Sequence, residues 1–250
     1  MALEISVEQR KGIGVAEKGR DEAGQVVELD RRLFVQLQVF RGAADLDPVA
    51  DALRTANAPA VLYADLSTPD GFGLMTYSED PGFFTGSFRE LLAGSVFRSV
   101  TLVPEMTMTG RSYAIGYEQN LPDVLLHRPI RTACNPEWPW CIWYPLRRSG
   151  EFATLPSDEQ RKLLMEHGGV GRAYGKADLA HDIRLSCHGL DRNDNDFVVA
   201  LIGKELTPLS KVVEHMRTTR QTALHMDRMG PFFVGRSVYR HAVYPDLNGA

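Results

Sequence analysis

The strongest constraint on how this chain folds is an order of elements, β-α-β-β-α-β, that runs through it twice. In RLFVQLQVF, Leu33, Val35, Leu37 and Val39 alternate with Phe34, Gln36 and Gln38, the period of a strand with one buried face. Asp47-Pro48 offers an N-cap and a first-turn proline, which predicts a helix through Asn57. Strands are expected at 60–66 and 72–78 around the turn-rich STPDG, then a helix at 83–94 and a strand at 99–106. The second pass begins at WCIWYPL, 140–146. Ser157 to Gln160 reads as a capping box that opens a helix reaching Tyr174. Strands at 181–190 and 196–203 flank the turn DRNDN. Thr207-Pro208 opens a long helix to Met226, and PFFVGRSV, 231–238, closes the set.

Two such passes predict an α+β fold of two tandem ferredoxin-like modules. The expected division is a loose N-terminal arm over 1–30, a first module over 31–108, a connecting segment over 109–138 and a second module over 139–240. The connecting segment holds prolines and little periodicity, and the arm is polar with no period. A net charge of −4 leaves no basic field for nucleic acid. Cys134, Cys141 and Cys187 are odd in number and form no CxxC pair, which argues against a disulfide framework and a structural zinc site. The N-terminal MALEISVEQRKGIG lacks the apolar run of a signal peptide. No stretch approaches the ~20 apolar residues of a membrane span. A cytoplasmic protein is the expectation.

The second module carries the most informative local feature, LLMEHGGVGRAY. Leu163, His167 and Val170 fall at i, i+4 and i+7, which places the histidine on the buried stripe of its helix. Gly168, Gly169 and Gly171 follow at once, each costing up to about 1 kcal/mol relative to alanine inside a helix. Either the glycines end the helix and His167 is a hydrogen-bonded core residue, or a flat ligand approaches the backbone where Cβ is missing. An iron porphyrin ligated by the imidazole would account for both features.

From WYPLRRSGEFATLP through LPSDEQRKLLMEHGGVGRAY to CHGLDRNDNDFVVALIG and MGPFFVG, the chain resembles the chlorite dismutase superfamily, and within it the coproheme decarboxylase branch. The elements that carry the resemblance appear in order: Tyr144-Pro145, Leu155-Pro156, His167-Gly168 through Gly171-Arg172, and Gly189-Leu190-Asp191. The stretch covered is roughly 97–238. The resemblance implies a dimeric α+β barrel type of fold, two ferredoxin-like modules per chain, and assembly into a homo-oligomer, commonly a homopentamer.

It also implies roles. His167 matches the iron-ligating histidine, and Gln221 falls where the family places a glutamate that accepts from its second nitrogen; the alternative for Gln221 is a solvated helix residue. Tyr144 matches a tyrosine that takes hydrogen from a porphyrin propionate, or else fills the core between Trp143 and Pro145. Arg148 lies where the family has a lysine at the reacting propionate, and Arg131 lies near a propionate-binding arginine. Arg128 and Arg147 share this basic cluster, Arg147 as a solvated edge. The sequence departs from the family in three places. Counting back from Gly189 sets Asp182 at the position above the iron, with His181 and Arg184 as substitutes. His225 replaces an arginine on the last helix, and Pro231 replaces a small polar residue. These departures argue against chlorite dismutation. The implied activity is peroxide-dependent oxidative decarboxylation of iron coproporphyrin III to haem b. The alternatives are a divergent haem-dependent oxidase or peroxidase with another substrate, and a non-catalytic haem or coproporphyrin carrier or sensor.

Overall fold

Alternation along the strands decides the architecture of residues 14–247, the part of the chain that the computed structural model describes. The first half contains β1 (Glu17–Arg20), β2 (Val26–Leu29), β3 (Phe34–Arg41), α1 (Asp47–Thr55), β4 (Ala60–Asp65) and β5 (Phe72–Ser78). Three short helices follow, α2 (Gly82–Thr85), α3 (Ser87–Leu92) and α4 (Ser95–Arg98), then β6 (Thr101–Leu102) and β7 (Met108–Ser112). Next come α5 (Arg128–Cys134), β8 (Trp140–Arg148), α6 (Gly150–Thr154) and α7 (Ser157–Lys176). The chain ends with β9 (His181–Ser186), β10 (Phe197–Gly203), α8 (Leu206–Thr218), α9 (Arg220–His225), β11 (Met226–Met229) and β12 (Phe233–His241). The fold is α+β.

Eight strands close into a barrel in the order β10-β9-β7-β3-β5-β4-β12-β8, and β8 pairs back onto β10 to complete the ring. Every pairing among the described residues is antiparallel. One face of each strand fills the interior, as with Val35 and Leu37 of β3, Trp143 of β8 and Phe233 of β12. The outer faces are covered by helices. α1 to α4 pack over Leu62, Phe72 and Leu74 through Leu53, Phe88 and Phe97. α7 and α8 lie over Ile142, Tyr144 and Leu201. A strand covered on both sides reads as a continuous apolar run, which is why AVLY in β4 and WCIWY in β8 barely alternate in hydropathy.

Phe233 enters the interior over two glycines. A Cβ on Gly73 would lie 2.5 Å from Cζ of that ring, and one on Gly235 would lie 2.8 Å from Cε1. Gly73→Ala should therefore overpack the barrel and lower stability by about 1–3 kcal/mol. Urea unfolding of the variant measures this, and an unchanged midpoint would show that the ring has room to move.

Several elements differ from the sequence expectation. The helix expected at 83–94 is two pieces parted at Gly86, and a third short helix follows beyond Gly94, ahead of the expected strand. The strand expected at 99–106 is cut to β6 by a 3-10 turn at Pro104–Met106, and β7 resumes at Met108. The N-caps are Leu46, Pro156 and Glu205, none with a side-chain cap, so the proposed capping box at Ser157 does not form. Gln160 instead donates to the Leu155 carbonyl at 2.9 Å. The segment 109–138 carries α5 and a π-turn at Asp123–His127, whose Leu125 and Leu126 join Ile130 in the barrel core. Within the stretch read as an arm, residues 1–13 lie outside the described residues, and β1 and β2 pair as a hairpin.

Candidate functional site

On the outer wall of the second module, register brings polar side chains into one patch. Val199 pairs with Tyr144 on one side and Arg184 on the other, so Tyr144, Val199 and Arg184 form a row across β8, β10 and β9. Directly opposed residues of an antiparallel pair point to the same face. Asp182 lies two residues along β9, and Phe197 two residues along β10, on that same face. Tyr144 is 4% exposed and stacks on Phe232 with centroids 4.9 Å apart. The Arg148 guanidinium sits over the rings of Phe152 and Phe197, at 4.3 and 4.9 Å. Its Nε is buried with no hydrogen-bond partner, and the side chain makes no ion pair among the described residues. An unpaired cation held between two rings is arranged to receive an anion.

Helix α7 passes over this wall. It runs unbroken through Gly168, Gly169 and Gly171 to Lys176, so the glycines do not end it. Leu163 alone among its twenty residues is fully buried. His167, Val170 and Tyr174, on the stripe facing the wall, are only half-buried. A Cβ at Gly171 would reach 3.4 Å from the Met216 methyl, while Gly169 faces open space. Gly169 is 200° around the helix from His167, so close approach at the histidine concerns Gly168 and Gly171 and not all three.

His167 is fixed from behind by the turn between α8 and α9. Its Nδ1 lies 3.2 Å from Thr219 Oγ1 and 3.4 Å from Thr222 Oγ1. Glu166 secures that turn, accepting from the Arg220 backbone N–H at 3.0 Å and from its Nε at 2.8 Å. The turn exists because Thr218 and Thr219 donate their hydroxyls back to the carbonyls of His215 and Met216, at 2.8 and 2.7 Å. Such back-bonding by β-branched residues competes with helix continuation. The helix expected to run to Met226 therefore breaks at Thr219.

Burial lowers the pKa of His167, and the cations of Arg148 and Arg184 push it the same way. The neutral imidazole, the form that donates to a metal, is favoured. A group depressed in the folded state contributes stability that is complete above the ordinary histidine value of about 6.5 and is lost as pH falls from there towards the folded value. In an NMR titration of the apoprotein, His167 should titrate below that value, and Arg148→Gln should move it back upward. A midpoint at or above the ordinary value in the wild type would contradict this electrostatic picture.

The other sequence-chosen residues divide. Tyr144 and Arg148 both stand on the wall. Asp182 is also there, but its carboxylate is held between Arg128 at 3.0 Å and Arg184 at 2.9 Å, which offset part of its charge. Arg184 acts on both His167 and Tyr113, whereas His181 stacks on Trp138 at 3.6 Å and bonds Asp178. Arg131 is not brought to the site. It forms a two-pronged pair with Asp123 at 2.8 and 2.9 Å, because α5 turns that side chain along its own exposed face. Arg147 pairs with Asp194. Gln221 is 4% exposed with Oε1 unpartnered, and it is not the acceptor for His167, whose Nδ1 meets the two threonines instead. His225 packs edge-on against Phe152 at 5.8 Å with its Nδ1 buried and unpartnered. Sequence reasoning missed Thr219 and Thr222; the Thr-Thr pair inside an apparent helix was the available signal, since threonine favours caps over helix interiors.

A family model described as chlorite dismutase matches residues 102–238. The coproheme decarboxylase of Mycolicibacterium smegmatis is 33% identical over 98 residues, 38% of this chain and 38% of that one. The coproheme decarboxylase of Oceanobacillus iheyensis is 26% identical over 167 residues, 61% of this chain and 65% of that one. The chain thus spans between 38% and 65% of the length of these two curated relatives. A solved heme-binding protein from Thermus thermophilus superposes with a TM-score of 0.65 at 18% identity, covering 84% of this chain and 92% of that one. At that identity the superposition speaks for the fold.

Proposed function

The chain belongs to the chlorite dismutase family, and from that premise we propose that it binds an iron porphyrin through His167 and decarboxylates iron coproporphyrin III with peroxide to give haem b. The observation that carries the proposal is that His167 on α7 lies within reach of the charges of Arg148 and Arg184, on the wall that also bears Tyr144. The donor set suits the group: one imidazole for iron, an unpaired guanidinium for a propionate, and unpartnered buried atoms on Arg148, Gln221 and His225. When bound, the iron porphyrin supplies a redox-active metal that peroxide can oxidise.

The protein's own residues have separable tasks. Arg148 would hold a propionate through parallel hydrogen bonds while Phe152 and Phe197 keep water from its flat faces. Burial, with Asp182 adding to it, pushes the Tyr144 hydroxyl well above its ordinary range, so it remains a neutral phenol able to give up a hydrogen. In the overall reaction two of the four propionic acids each lose carbon dioxide and two hydrogens to become a vinyl group, while one peroxide per group becomes two waters. Ring-shaped homo-oligomeric assembly belongs to the same proposal.

A second reading, a haem peroxidase with another substrate, is favoured by Arg131, whose pairing with Asp123 removes one expected propionate contact. Mixing the protein with iron coproporphyrin III, adding peroxide and following porphyrin mass distinguishes the readings. Two successive losses of carbon dioxide support the decarboxylase. An unchanged porphyrin with an oxidised co-substrate supports the peroxidase, and binding without chemistry leaves a carrier.

A further inference from the structure

We infer that Thr219 is a positioning residue that fixes His167 as its Nδ1–H tautomer and leaves the Nε2 lone pair for a ligand. The argument is one of proton counting. The Thr219 hydroxyl carries one proton, and the Met216 carbonyl, 2.7 Å from Oγ1, can only accept. The hydroxyl proton is therefore committed to that carbonyl. Thr219 Oγ1 must then act as acceptor towards Nδ1 at 3.2 Å, so the ring proton sits on Nδ1. Thr222 Oγ1, 3.3 Å from Thr219 Oγ1, is the more distant of the two acceptors open to that hydroxyl, and at 3.4 Å it is also the more distant of the two oxygens facing Nδ1. His167 Nε2 makes no hydrogen bond among the described residues. The relay Nδ1–H to Thr219 to the Met216 carbonyl is held in place by the Glu166–Arg220 contact, which docks the start of α9 against α7.

The acceptor is a neutral hydroxyl and not a carboxylate. A carboxylate draws the ring proton towards itself and gives the imidazole anionic character; a hydroxyl already donating to an amide carbonyl does so far less. Iron bound at Nε2 would receive a weak push from this histidine. This consequence rests on the iron-porphyrin reading, whereas the tautomer itself does not.

The test uses both layers. Nitrogen-15 NMR of the apoprotein, recorded at about pH 8 where imidazole is neutral, should find a protonated Nδ1 and a lone-pair Nε2 in the wild type and in Thr219→Ser. Thr219→Val keeps the shape, loses the acceptor and should return the ring to a mixture of tautomers. The same variant should bind ferric coproporphyrin about 10–100-fold more weakly, and Thr219→Ser should restore it. A protonated Nε2 in the wild type, or an unchanged tautomer in Thr219→Val, overturns the inference. A correct tautomer response with no ferric coproporphyrin bound to the wild type overturns the iron reading alone.

Discussion

His167→Ala is expected to abolish axial ligation of an iron porphyrin, with affinity falling by more than the roughly 10–100-fold that removal of an outer partner of a metal ligand produces. The variant should remain folded. His167 is half-buried, and its hydrogen bond to Thr219 is of a kind worth about 0.5–1.5 kcal/mol. Binding and stability therefore separate cleanly in the same sample. Absorption spectra of wild type and variant, each titrated with ferric coproporphyrin, are the measurement. Added imidazole should restore part of the wild-type spectrum. Identical spectra without imidazole would remove His167 from the site.

Tyr144→Phe should carry the second large effect, on turnover and not on binding. The substitution deletes only the hydroxyl, and the ring stays stacked on Phe232 in a position that is 4% exposed. That hydroxyl makes no hydrogen bond among the described residues, so its loss costs little stability. If the phenol gives up its hydrogen during decarboxylation, the rate should fall by roughly 10²-fold or more, the range for removing a group that handles a proton in the transition state. An equal fall in kcat and kcat/KM, with porphyrin affinity retained, is the expected pattern. Single-turnover mass spectrometry with peroxide reads it out. Wild-type turnover in Tyr144→Phe would leave Tyr144 a wall residue and shift the reaction to another group.

The strands were legible because period-2 patterning in β3 and the turn residues around β4 and β5 are local signals. Closure into a barrel was implied by the resemblance and not by any local pattern, since the β8–β10 and β7–β9 pairings join distant segments. His167 was singled out by its helical spacing and its glycine neighbours, and the resemblance turned that feature into a ligand expectation. Thr219 could not be matched to it, because the pairing depends on a helix break made by hydroxyls folding back onto carbonyls. Arg131 was misplaced for a related reason: the segment around α5 has no periodicity to orient its side chains. Asp182 lies on the strand expected at 181–190, yet only the structure reveals that Arg128 and Arg184 hold its carboxylate.

The strand that carries Tyr144 and Arg148 has no free edge. β8 is bonded along Trp140–Leu146 to β10 and, on its other side, first to β12 and then to β11. Its amides can lose protection only when the barrel itself opens, which places them among the last in the chain to exchange with solvent. A wall clamped on both sides cannot part to admit a ligand as large as a macrocycle. If the chain binds an iron porphyrin as proposed, passage in and out would fall to α6, α7 and the turn at Thr219, and the clock for ligand entry would run in the helices while the wall stays still.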